Sequence, residues 1–124
     1  MNFRHSIATA KISGPDFAPD GAATFTFRFP ANDPTFAGHF PTRPLLPGIY
    51  QVEMARYAAE IFTHRNLRLR EVTKAKFLRP ILPEETIRVE LKSAEKTGML
   101  QIRASFSVLG QPAGETILLL VPES

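Results

Sequence analysis

A single helix-forming segment, set among long alternating runs, limits the fold more than any other feature of this sequence. Ile49 to about His64 (IYQVEMARYAAEIFTH) is rich in alanine and good helix formers, with no internal glycine or proline. Its polar residues Glu53, Arg56, Glu60 and His64 recur every three or four positions, which draws one narrow stripe along a helix. Nearly everything else on it is apolar. A helix apolar around so much of its circumference has to be wrapped by other structure.

What surrounds it in sequence reads as sheet. Ala23 to Phe29 alternates, with Phe25, Phe27 and Phe29 on one face and Thr24, Thr26 and Arg28 on the other. After the helix come Leu67 to Leu78, Thr86 to Glu95, Met99 to Leu109 and Glu115 to Val121. They are separated by Arg79-Pro80, by a turn at Lys96-Thr97-Gly98 and by a turn over Gly110 to Gly114. Residues 3 to 12 alternate weakly and are expected to form a first strand; GPDFAPDG, residues 14 to 21, is expected to be a turn-rich connection. One buried helix with consecutive long antiparallel strands gives an α+β fold, a long central helix wrapped by a curved antiparallel sheet. The 124 residues are expected to make one domain, 1–124, of a size at which dimerisation adds useful stability.

Composition narrows the function. Apolar residues at 44% and charged residues at 22% are ordinary for a soluble globular chain, and no run approaches the roughly 18 apolar residues of a membrane span. The first residues lack the apolar core of a secretion signal, so a cytoplasmic setting is expected. With no cysteine, disulfides and thiolate metal sites are excluded. Without a glycine-rich phosphate loop or paired histidines at ligand spacing, no metal or nucleotide cofactor is expected. The net charge of +3 is unevenly placed: Arg65, Arg68, Arg70, Lys74, Lys76 and Arg79 face a single acid, Glu71. Such a patch attracts an acidic partner, and a solvated strand face reads equally well. Nucleic acid is disfavoured, because no aromatics interleave with these bases as a stacking platform requires.

Chemistry concentrates between Asp33 and Glu53, DPTFAGHFPTRPLLPGIYQVE. His39 sits between Gly38 and Phe40, and Pro41, Pro44 and Pro47 then hold the chain in an extended, unpaired path. Gly48 opens the helix, where uncovered backbone N–H groups lie at the positive end of the helix dipole. A titratable base, a donor cluster and a carboxylate are what proton transfer beside a carbonyl requires.

In this stretch the chain resembles the hotdog-fold 3-hydroxyacyl-acyl carrier protein dehydratases of fatty-acid synthesis, the FabZ/FabA-like family. The resemblance rests on Gly38-His39-Phe40-Pro41, Pro44, Pro47-Gly48 and Glu53, and on Ala75-Lys76-Phe77 with Arg79-Pro80 and Pro83. It covers roughly Thr24 to Leu91. Thr42 stands where the family usually has glycine, and Tyr57 where it has glutamine. The resemblance implies a 3-hydroxyacyl thioester on a phosphopantetheine arm, with no other cofactor, losing water to give a trans-2-enoyl thioester. It implies His39 as general base, the Gly48 N–H as donor to the thioester oxygen, and Glu53 as the acid at the departing hydroxyl, with Phe40, Pro47 and Tyr57 lining the substrate. Histidine and acid come from different subunits in that family, which implies a homodimer or higher, or a heterodimer with another hotdog chain. Acyl carrier protein or a CoA thioester is the implied partner, with the Arg65 to Arg79 patch as its dock.

Each assignment has a structural counterpart. Glu53 with Arg56 three residues on also describes an ion pair on a solvated helix face, and Gly48 also suits a close approach of loop to helix. Tyr57, on the Glu53 side of the helix, reads either as a hydrogen-bond partner of the acid or as core filling, the second being favoured, and His5 and His64 read as surface residues. Two other functions stay open on this scaffold: an acyl thioesterase working through a carboxylate-activated water, and a non-catalytic subunit partnering another hotdog chain.

Overall fold

The computed structural model describes residues 3–36 and 44–123, so His39 and Phe40 lie outside the described residues. The chain runs α1 (Phe3–Ala10), β1 (Lys11–Phe17), β2 (Ala23–Arg28), a 3-10 turn (Pro34–Phe36), α2 (Ile49–Thr63), β3 (Leu67–Phe77), β4 (Thr86–Lys96), β5 (Met99–Val108) and β6 (Gln111–Pro122). All six strands join one antiparallel sheet in the order β1-β2-β4-β5-β6-β3.

The alternation in β2 is realised in full: Phe25, Phe27 and Phe29 are buried, and they pack with Val89, Ile87 and Phe106 of the neighbouring strands under α2. Tyr50, Val52, Met54, Ala55, Ala58 and Ala59 fill the hollow of the sheet from the helix side. The expected central helix wrapped by a curved sheet is what the chain forms.

The N-terminal expectation was wrong. Residues 3 to 10 are helical, because the period that matters is Ser6, Ile7 and Ala10, which bury one face toward α2. Phe3 sets its ring edge-on to Tyr50 at 5.0 Å, and Arg4 pairs with Glu60 at 2.8 Å. The strand comes later, over part of the stretch expected to turn. It tolerates Pro15 because β1 is an edge strand with irregular register, and Gly14 is required there: a Cβ would meet the Phe25 backbone at 2.8 Å.

The last hairpin also differs. Its turn is Leu109-Gly110, both with positive φ, and β6 restarts at Gln111 instead of after Gly114. Pro112 is accommodated by a register shift after Phe106, which leaves the Ala113 carbonyl free to accept from the Leu78 and Arg79 N–H groups. No helix among the described residues is long and apolar enough to cross a membrane.

Candidate active site

Gly48 stands at the N-cap of α2 with helical φ and ψ of −57° and −32° and offers no side-chain cap. The Tyr50 and Gln51 N–H groups are taken by the Pro47 and Gly48 carbonyls at 3.0 and 2.9 Å. The Gly48 and Ile49 N–H groups have no acceptor among the described residues. They stand at the positive end of a 15-residue helix, where developing negative charge is favoured. The loop is pinned here by Leu46 N–H donating to the Ile81 carbonyl at 2.8 Å, and the Phe77 ring lies over Gly48. A Cβ at position 48 would meet that ring at 3.0 Å, so the close-approach reading of this glycine holds beside the donor reading. Around this helix end is a cavity of about 290 Å³ lined by Leu46, Gly48, Gln51, Phe77, Pro80 and Ile81, among others.

Glu53 faces elsewhere. It lines a groove of about 450 Å³ between α1 and α2, with Phe3, Arg4, Ile7, Arg56, Tyr57 and Glu60. Its side chain is 19% exposed, and Oε2 accepts from Arg56 at 3.3 Å. Arg56 also donates to the Leu67 carbonyl at 2.9 Å and approaches Glu123 at 3.9 Å. That tether sets the Glu53 face of α2 beside β3, one of the two edge strands of the sheet. Within one chain, the helix-end donors and the carboxylate therefore open into different hollows.

The polar stripe is real but not uniformly solvated. Glu60 is 7% exposed and accepts the Leu67 N–H at 2.8 Å while pairing with Arg4, so it staples both α1 and the start of β3 to α2. Tyr57 is half-buried, packing against the core while lining the groove beside Glu53. His64 is exposed and closes the helix in the left-handed region, with its own N–H and that of Arg65 reaching back to Ile61 and Glu60. His5 is also exposed.

The basic residues separate into kinds. Arg68, Lys74 and Lys76 pair in register with Val121, Ile117 and Glu115, on the sheet face turned away from α2. Lys74 donates to Glu115 at 2.6 Å; that bond, with Arg103 and Lys76 nearby, holds the Glu115 carboxyl below its ordinary range. Arg79 is held by both oxygens of Glu85 at 2.8 and 3.0 Å. Arg65 and Arg70 are exposed.

Sequence reading passed over Gln51. It lies off the polar stripe on the buried side of α2, and a polar residue out of phase with the others was the available signal.

A helix in the hollow of a six-stranded antiparallel sheet defines a hotdog-fold protein. Residues 17–112 match the ApeI-like family model, described as ApeI dehydratase, and the chain belongs to that family. It is 32% identical over 94 residues to the FabZ 3-hydroxyacyl-acyl carrier protein dehydratase of Rickettsia akari, an alignment covering 68% of this chain and 65% of the relative. Against that of Bradyrhizobium diazoefficiens it is 29% identical over 110 residues, with 81% and 69% covered. The chain thus spans somewhat less than two thirds of the length of the first of these relatives. Among solved structures, the dehydratase heterocomplex ApeI:P from Xenorhabdus doucetiae superposes with a TM-score of 0.72 at 24% identity, over 90% of this chain and 96% of that one. A hypothetical thioesterase with coenzyme A from Streptococcus pneumoniae reaches the same TM-score of 0.72 at 7% identity, over 98% and 94%, a likeness of fold alone.

Proposed function

We propose that this chain removes water from a 3-hydroxyacyl thioester, carried on acyl carrier protein, at a site built by two hotdog chains. The observation that carries the reading is the separation of Gly48 and Glu53 into two hollows, with the Glu53 face set beside the unpaired edge of β3. That edge also bears the exposed apolar residues Val72, Phe77 and Leu78, with Ile49 at the helix start, a patch suited to a second chain. A partner laid along it would bring its own helix end and histidine toward this Glu53.

In the reaction, His39 takes the C2 proton, and the thioester oxygen gathers charge against the Gly48 N–H. The C2 electron pair then forms the C2–C3 double bond as the C3–O bond breaks, and the hydroxyl leaves as water with a proton from Glu53. Proton exchange with solvent resets both residues. Loss of one such backbone donor typically costs about 3 to 4 kcal/mol in the transition state. The exposed Arg65, Arg68, Arg70 and Lys76 are the dock for the acidic carrier. The second chain is a copy of this one or another hotdog subunit; the solved ApeI:P heterocomplex supports the latter as a test arm.

The test is an absorbance assay of enoyl formation and hydration on a panel of 3-hydroxyacyl and trans-2-enoyl thioesters, beside His39→Ala. We expect turnover in the parent and a loss of at least about a hundredfold in the variant, in the range of general-base contributions. Full activity in His39→Ala, or release of free thiol with no enoyl signal, overturns the reading.

A further inference from the structure

The hollow beside Gly48 contains a second feature that the dehydration chemistry leaves unused. Gln51 lies one turn into α2, is 4% exposed, and lines the same cavity. Neither end of its carboxamide has a hydrogen-bond partner among the described residues, and Oε1 is fully enclosed. A buried amide oxygen without a donor loses its hydration with nothing in exchange, so its retention calls for a compensating partner. Its surroundings are built around it. Gly114 has no room for a Cβ, because Gln51 Oε1 and Cδ occupy that space and the Lys76 carbonyl lies 2.9 Å from it. Gln51 Oε1 and the Lys76 carbonyl oxygen both approach the point that a Gly114 Cβ would occupy, and a half-turn of the amide, which exchanges Nε2 and Oε1, would turn the acceptor toward the cavity.

We infer that the Gly48 cavity is a subsite for the amide-bearing arm of the thioester, with the Gln51 carboxamide accepting the N–H of the arm's first amide. The inference rests on the reading that this chain acts on acyl thioesters, and it specifies which part of that substrate the helix end holds. The chemistry is complementary. The Gly48 and Ile49 N–H groups donate to the thioester oxygen and Gln51 supplies the acceptor, while Leu46, Phe77, Pro80 and Ile81 cover the methylenes between. An arm with a carbonyl and an N–H a few bonds apart satisfies both sides of such a pocket, and a plain alkyl thioester satisfies one.

The experiment compares two thioesters of the same acyl chain, one of N-acetylcysteamine and one of 2-mercaptoethyl acetate, in which an ester oxygen replaces only the N–H. We expect the parent protein to favour the amide arm about tenfold in kcat/KM, the size of one neutral hydrogen bond, and Gln51→Met to handle both arms equally. Equal handling by the parent overturns the inference, whether or not the variant folds. A preference kept in Gln51→Met also overturns it, by assigning the N–H to another group. Calorimetric binding of saturated thioesters with the same two arms, which have no 3-hydroxyl to lose, decides the point independently of turnover. A chain that prefers the amide arm without dehydrating anything would retain the subsite and lose the proposed function; a dehydratase indifferent to the arm would do the reverse.

Discussion

Glu60 stood in the sequence as one more polar residue on a helix face, and in the folded chain it joins three elements. Its carboxylate accepts the first N–H of β3 and pairs with Arg4 of α1, at 7% exposure. Removing it leaves a buried N–H without an acceptor and detaches α1. Glu60→Ala is therefore expected to lower stability by about 2 to 4 kcal/mol, read as a shift in the denaturant midpoint at unchanged slope. Glu53, two turns earlier on the stripe, bonds to Arg56 of its own helix at 3.3 Å and joins no second element among the described residues, so Glu53→Gln is expected to change that midpoint little. The stripe was legible in sequence because spacing reveals which residues share a face. Their difference was not, because it depends on α1 arriving over one end of the stripe, and the weak pattern of residues 3 to 12 did not announce a helix.

At the scale of elements, the long strands and the central helix were readable because each spends its length in one environment, so its period is clean. The errors fall where backbone geometry overrides composition. Pro112 and Gly114 look like turn residues yet lie in β6, where a bulge absorbs one and the Gln51 side chain explains the other. The true turn places Leu109 at φ 53° with 91% of its surface exposed, an arrangement that serves neither backbone nor side chain. A two-residue hairpin turn with positive φ at both positions favours Asn-Gly. Leu109→Asn should raise stability by about 1 kcal/mol, measured by thermal unfolding, and an unchanged or lower midpoint would mean that something covers the leucine.

For the whole molecule, the sheet has one edge relieved by Pro15 and another, β3, that runs 11 residues with its outer hydrogen-bonding side unpaired among the described residues. Charge on β3 lies mainly on the face turned from the helix, while Val72 faces the helix side beside Leu118 and is exposed. Val72→Lys is expected to weaken association of two chains at least about tenfold by sedimentation, without lowering the chain's own stability. The same substitution should reduce turnover in step with the loss of assembled protein. On the proposed two-chain site, the separate openings of the helix end and the carboxylate predict that dilution switches the catalyst off well before the chain unfolds. Output per milligram should then climb with enzyme concentration until every chain has found its mate.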